Sequence, residues 1–189
     1  MVRGLTLAGT AVLLLLLYTA YPYATIWQLD QSVTSQNESA LEGLVDWDSL
    51  GAGLEDDLEG LFDHPDPASD DPMDQLAENL LGVFSDFLID PIVAFYTTPR
   101  GLAYLLNTQV ILDDPGEALE EDFPSEDTWF DHISSAGFTG PTSFRVEVSF
   151  PTDSDKALSE EGPMALEFRL QGIRWQLVRV RLPLEDLAE

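Results

Sequence analysis

The first hydrophobic segment of the chain runs from Gly4 to Leu29 and contains no charged residue. Its 26 residues exceed the roughly 20 that a helix needs to cross the hydrocarbon core of a membrane. Amphipathic aromatic rings favour the membrane–water interface, and four lie in the distal part of the segment: Tyr18, Tyr21, Tyr23 and Trp27. The pattern predicts a membrane anchor over residues 1–29 that contacts the bilayer through residues 4–27.

A cleaved signal peptide is the competing interpretation of this segment. Such a peptide needs small residues at positions −3 and −1 of the cleavage site, but a cut after Ala24 places Pro22 at −3. We therefore expect an uncleaved anchor. Arg3 is the only charged side chain before Asp30, so the positive-inside bias predicts a cytoplasmic N-terminus in the inner membrane and a periplasmic domain over residues 30–189.

Helical periodicity follows the anchor. A short helix is predicted after Ser39, and an amphipathic helix is indicated by the apolar spacing of Leu50, Leu54, Leu58, Leu61 and Phe62. Another helix is expected from about Met73 to Leu88. A further helix should begin at Pro99 with Thr98 as its N-cap, burying Leu102, Leu105 and Leu106.

The period changes to two in the last third of the chain. Apolar residues alternate from Phe144 to Phe150 and from Met164 to Leu170, and Gln171-Gly172 predicts a tight turn. The apolar parity then flips at Leu177–Val178, which predicts a β-bulge or a change of covered face. Residues 129–133 are expected to add a fourth strand. The sum is an α+β fold, in which several helices pack on a curved antiparallel sheet of three to four strands.

Charge changes this picture in one respect. The chain has 35 acidic and 8 basic side chains and a net charge of −27, which makes a nucleic-acid partner unlikely on physical grounds because phosphate would be repelled. High acid with a single lysine is typical of a salt-adapted bacterium. Acidic stretches at 63–72 and 113–128 are expected to be solvated loops within one domain. A cation-binding surface is the alternative, although the acids lack the spacing of a calcium loop.

The candidate chemistry is sparse. With no cysteine, thiol catalysis and Cys-ligated zinc are excluded, and no metal or cofactor motif is present in the sequence. His132 follows Asp131, but neighbouring residues of a strand point to opposite faces, so direct pairing is not expected. Asp46 is expected to cap a helix. Four arginines on the final hairpin form either an anion site or internal ion pairs with the acidic helices: Arg169, Arg174, Arg179 and Arg181.

Four segments resemble, in their order, a bacterial family of membrane-anchored envelope proteins known only as a domain of unknown function. They begin at Ala20, Leu44, Thr98 and Gly172. The resemblance implies no catalytic residue. The ending from Trp175 to Val178 is similar, more loosely, to cystatin-like and nuclear-transport-factor-like cones, and this similarity implies a fold alone.

Three functions remain open at this point. The first is a non-catalytic, membrane-anchored module that binds an envelope protein or a small ligand, with the four arginines and His132 as candidate ligand-binding residues. The second is a small enzyme with an acid–base pair from Asp131, His132 or Asp46 in a cone-shaped cavity. The third is a cation-responsive surface protein.

Overall fold

A computed structural model describes residues 2–35, 37–62, 89–108, 128–149 and 163–181. The helix predicted over Met73–Leu88 and the acidic stretches 63–72 and 113–128 lie outside the described residues. The helices are α1 (Val2–Thr34), α2 (Glu38–Leu44), α3 (Trp47–Phe62), α4 (described over 89–96) and α5 (Pro99–Thr108). A 3-10 helix, Trp129–His132, precedes β1 (Ile133–Gly140), β2 (Ser143–Val148), β3 (Met164–Gln171) and β4 (Arg174–Arg181).

The four strands form one open antiparallel sheet in the order β1-β2-β3-β4. The predicted α+β fold is therefore confirmed. Glu167 pairs with Arg179 and Phe168 pairs with Leu177, so Val178 is the extra residue of a bulge in β4. Leu177 and Val178 are both buried, which explains the parity flip in the sequence.

The fourth strand begins later than the sequence predicted. Residues 129–132 form the 3-10 helix, in which the Asp131 amide donates to the Thr128 carbonyl at 3.0 Å. Trp129 is completely buried in this helix, so its apolar character reflects core packing and not a strand period. The strand β1 starts at Ile133 and is an edge strand of the sheet. Its sequence is rich in Gly and Ser and carries little apolar alternation.

The second half of α1 belongs to the hydrophobic core. Ile26, Leu29 and Val33 are all at most 3% exposed and lie in the same cluster as the inner face of the sheet. The helix touches α2, α5, the 3-10 helix and β4. Helix α1 continues through residue 29 without a break. The domain boundary expected there falls inside the helix, and core side chains lie both before and after that boundary.

The junction of α2 and α3 is fastened to the last strand. Val45 forms a parallel bridge with Leu177, and the Asp46 amide donates to the Leu177 carbonyl at 2.9 Å. Asp46 also caps α3, as the sequence predicted: its carboxylate accepts from the Ser49 amide at 3.2 Å and from the Ser49 hydroxyl at 2.7 Å. These contacts hold α3 against β4.

The start of α5 also follows the sequence. The Thr98 hydroxyl accepts from the Gly101 amide at 3.1 Å, and Pro99 is the first helical residue. Leu102, Leu105 and Leu106 are each at most 1% exposed. Gly101 is required by a close approach, since a Cβ there would lie 2.0 Å from the Phe95 carbonyl oxygen.

A truncation tests whether α1 is part of the fold. Residues 18–29 supply Tyr18, Ile26 and Leu29 to the core, and each such loss costs about 2–5 kcal/mol against a typical total stability of about 5–15 kcal/mol. We expect a fragment of residues 30–189 to lack a cooperative thermal transition in circular dichroism, whereas a fragment of residues 18–189 should retain one. Equal transitions in the two fragments would show that α1 is dispensable for folding.

Candidate functional site

A groove of about 440 Å³ lies between the middle of α1, α2 and the start of β4. One wall is a face of α1, and the opposite wall consists of α2 and the first residues of β4. Its lining combines aromatic, polar and small side chains with one cation: Tyr21, Thr25, Trp27, Gln28, Gln31, Ser32, Ala40, Gly43, Leu44, Arg174 and Trp175. The mixture of flat rings and hydrogen-bonding groups is typical of a ligand-binding cleft.

Arg174 is the only charged residue of this lining. It is exposed and opens β4, directly after the β3–β4 turn. A guanidinium presents five donors in a planar fork that matches carboxylate and phosphate groups. A described lining with one arginine and no acidic side chain suits an anionic ligand better than a cationic one.

Arg179 serves internal pairing. Its guanidinium forms ion pairs with Asp57 and, at 2.8 Å, with Asp56, both on α3. The Arg179 stem lies over Gly53 of the same helix, where a Cβ would come within 2.9 Å of the Arg179 Cγ. The hydrogen bond that Arg179 donates to Asp57, opposed by partial burial, raises the pKa of Arg179 above its ordinary value. This pair therefore docks α3 on β4.

Arg181 forms an ion pair with a carboxylate, and Arg169 acts electrostatically on another. Arg181 Nε donates to Glu167 at 2.8 Å, and Arg145 donates to the same carboxylate oxygen at 3.0 Å. Burial raises the pKa of Glu167, but the hydrogen bonds and charges of the two arginines outweigh it and leave that pKa lowered. The stabilisation from this carboxylate is thus complete above its unfolded pKa and is lost as pH falls through the lower folded value. Arg169 is exposed and contributes to lowering the pKa of Asp46.

Asp131 and His132 share the 3-10 helix, Asp46 precedes α3, and none of these candidates for acid–base chemistry lines the groove. His132 ends the 3-10 helix, half-buried, and its carbonyl accepts from the Ser149 amide at 2.9 Å. Asp131 is exposed, and one of its oxygens accepts from the Thr128 hydroxyl at 3.3 Å.

Asp46 is occupied as a helix cap. Besides the two bonds from Ser49, its carboxylate accepts from Gln171 Nε2 at 2.5 Å. The hydrogen bond from the Ser49 hydroxyl is the largest cause of the lowered pKa of Asp46, and that from Gln171 adds to it. A carboxylate held ionised by three local donors is a structural anchor between α3 and the β3–β4 turn.

Two features of the site were not predicted from the sequence. The groove depends on the distance between α1 and α2, and a pattern of neighbouring residues in the sequence does not predict that distance. Asp30 is the other: it is only 6% exposed, and its carboxylate lies within hydrogen-bonding range of the Thr128 and Gln31 side chains. The sequence placed Asp30 at the first aqueous position, whereas the fold uses it to join α1 to the 3-10 helix.

The stretch of α1 from Gly9 to Leu17 is exposed. The side chains from Val12 to Leu17 are 57–62% exposed, although all of them are apolar. The stretch Gly9–Thr34 is long and apolar enough to cross a membrane and lies near the N-terminus, as an anchor or a signal sequence does. The predicted N-terminal membrane-compatible helix is therefore confirmed at that level.

Comparison with known proteins gives a family. A family described as a protein of unknown function, DUF2939, matches residues 11–105, which is half of the chain. The chain belongs to this family. No curated protein matches, and no solved structure matches.

The DUF2939 match extends from α1 to α5. Three of the four segments that carried the resemblance lie inside it, beginning at Ala20, Leu44 and Thr98, while the closing hairpin from Gly172 lies beyond it. The matched part therefore contains the α1 and α2 walls of the groove, and β4 completes it. The looser likeness to cystatin-like and nuclear-transport-factor-like cones stays a prediction.

A pair of matched substitutions tests the internal pairing of Arg179. The Asp57 side chain is 17% exposed and that of Asp56 is 71% exposed, so the first ion pair is the better shielded from water. We expect Asp57→Asn to lower the free energy of unfolding by about 2 kcal/mol and Asp56→Asn by less than about 1 kcal/mol. Urea denaturation followed by circular dichroism measures both.

Each of these variants removes one negative charge, so relief of general repulsion affects them equally. A charge exchange completes the test. Arg179→Asp alone should destabilise the protein strongly, and Arg179→Asp combined with Asp57→Arg should recover part of the loss. Equal effects of the two asparagine variants, together with no recovery in the exchange, would contradict the pairing.

Proposed function

We propose that the protein is an uncleaved single-pass protein of a bacterial inner membrane that displays a non-catalytic binding module on the extracytoplasmic side. The observation that carries the proposal is the continuity of α1. The same helix has an exposed apolar half from Gly9 to Leu17 and a buried half that includes Ile26 and Leu29. An apolar helix face left uncovered by protein is stabilised when lipid covers it.

The packing of α1 supports the anchor over a cleaved signal sequence. Tyr18 stacks on Phe138 with 5.8 Å between the ring centroids and contacts Trp175 at 6.3 Å. Tyr23 packs edge-on against Phe144 at 5.0 Å. Cleavage near Ala24 would remove these rings from the sheet and leave large aromatic side chains without cover, at a cost of several kcal/mol.

We place the start of the extracytoplasmic domain within α1, at Tyr18, and not after residue 29. Among the side chains that the structure describes, from Gly9 onward, Tyr18 is the first along the helix that packs against the core. The orientation rests on Arg3, which precedes the apolar half, and on the acidic chain that follows it. The high acid content and single lysine support a salt-adapted host.

The binding role is assigned to the groove. Its two half-exposed rings, Tyr21 and Trp27, offer flat apolar contact, and its polar side chains offer donors and acceptors. Arg174 gives it a positive charge in a strongly acidic protein. We therefore propose that its ligand is a small molecule with an anionic group, bound without chemical change.

Membrane attachment is tested with the full chain and the fragment of residues 18–189. The full chain should remain in the membrane pellet after extraction at alkaline pH, with the mass of the complete sequence, because Gly4–Leu17 lies in lipid. The fragment should be released. The chain has no cysteine, so Ser35→Cys can be labelled in intact spheroplasts with a membrane-impermeant maleimide to report its side. Release of the full chain, a mass shortened by 20–25 residues, or absence of labelling would contradict the proposal.

Ligand binding in the groove is tested with the anionic aromatic dye 1-anilinonaphthalene-8-sulfonate on the full chain in an amphipathic polymer. We expect saturable binding at one site, with the sulfonate at Arg174 and the rings on Trp27. Arg174→Gln should weaken it about fivefold, equivalent to roughly 1 kcal/mol. Arg169→Gln is the matched control, because Arg169 lies on the same hairpin, is exposed and does not line the groove. Equal affinities of the two variants would remove Arg174 from the site.

A further inference from the structure

The uncharged part of α1 before Tyr18 is short for a membrane span. Between Arg3 and Tyr18 it has 14 residues, Gly4–Leu17, which as a helix cover about 21 Å, whereas the hydrocarbon core of a bilayer is about 30 Å thick. Local thinning of the bilayer and the residues after Tyr18 together have to supply the remaining length of about 9 Å. Those residues already pack against the domain, so the part of the domain beside Tyr18 lies at the level of the bilayer surface.

The fold places two hairpin turns at that level. The β1–β2 turn and the β3–β4 turn lie at the same end of the sheet, because all neighbouring strands are antiparallel. The Leu170 amide donates to the Thr142 carbonyl at 2.9 Å, which joins the two turns directly. Tyr18 reaches this end, since its ring contacts Phe138, just before the first turn, and Trp175, just after the second.

The composition of this end fits a lipid surface. Ile173, at the tip of the β3–β4 turn, is 84% exposed, the highest value among the exposed large apolar side chains of the described residues, and Phe138 is 39% exposed. No acidic residue occurs from Ile133 to Phe144 or from Leu170 to Leu182, in a chain with 35 acids. Asp46 reaches this end from the α2–α3 junction, where Ser49 and Gln171 hold its carboxylate.

Arg174 adds the charge that such a surface needs. It follows Ile173 directly, so an inserted Ile173 brings the guanidinium to the level of the lipid phosphates, which attract arginine side chains near a membrane surface. A single exposed isoleucine is ordinary on a protein surface. Its position on a turn that carries no acidic residue, beside the helix that is proposed to enter the bilayer, is what points to a function.

We propose that the two hairpin turns form a second membrane contact, in which Ile173 inserts between the lipid headgroups of the bilayer that α1 crosses. This inference rests on the proposed anchoring and extends it. The contact fixes the domain upright on the membrane at two places, α1 and the β3–β4 turn. It also holds the groove, whose lining includes Tyr21 and Arg174, next to the lipid surface.

Site-directed spin labelling of the full chain tests the contact. Single cysteines are introduced by Leu15→Cys, Ile173→Cys, Thr142→Cys and Ser35→Cys, and each variant is reconstituted in vesicles of phosphatidylcholine and phosphatidylglycerol. Power saturation compares collisions with oxygen, which concentrates in lipid, and with a water-soluble nickel chelate. Ser35 is the aqueous control, because it lies 17 residues beyond Tyr18, about 25 Å along the helix axis.

We expect the oxygen-to-nickel ratio to be highest for the Leu15 label and lowest for the Ser35 label. The ratio for the Ile173 label should be several-fold above that for Ser35, and the ratio for Thr142 should lie between those two. An Ile173 label as accessible to nickel as the Ser35 label, with Leu15 still protected, would overturn the second contact and leave the anchor intact. A Leu15 label accessible to nickel would instead overturn the anchoring itself. Each labelled variant is first checked for the thermal transition of the parent chain, and Ile173→Asp should lift the Thr142 label from the surface if Ile173 holds the contact.

Discussion

Helix α1 has an exposed apolar part and a part packed in the protein core, and the rest of the structure is arranged around this helix. From Val12 to Leu17, α1 presents apolar side chains to its surroundings, and from Tyr18 onward it packs against the sheet and the other helices. Because the helix is continuous, the domain has no flexible linker to its N-terminal segment. The core, the groove and the open end of the sheet all have fixed positions along the same axis.

Charge is distributed to suit this arrangement. The four arginines of the last hairpin lie in one small part of a strongly acidic chain, but they have different roles. Arg179 and Arg181 neutralise carboxylates on α3 and β3, and so allow an acidic helix to pack on the sheet. Arg174 lies at the opposite end of β4, in the groove lining. A net charge of −27 therefore coexists with a groove whose described lining includes one arginine and no acidic side chain.

The parts of the fold that depend on near neighbours were predictable from the sequence. Asp46 as a helix cap, Pro99 as a helix start and the bulge at Val178 each follow from residues within a few positions. The limits of the anchor were not predictable, because an uncharged run such as Gly4–Leu29 is equally apolar whether lipid or protein covers it. The partner of each arginine was unpredictable for the same reason, since Asp57 and Arg179 are 122 residues apart. The groove exists only once α1, α2 and β4 have come together.

Pro22 lies inside α1, four residues after the side chain where the helix meets the sheet. A proline has no amide hydrogen, so the carbonyl of Tyr18 lacks its usual helical donor and the backbone resists bending least at this point. The proline ring is buried against the domain, and between it and the exposed stretch Gly9–Leu17 only Tyr18 packs on the core. Bilayers of different thickness impose different tilts on a crossing helix. Under the proposed anchoring, a change in tilt would bend α1 at Pro22 and shift the Tyr18 ring contacts, while Ile26 and Leu29 keep their places in the core.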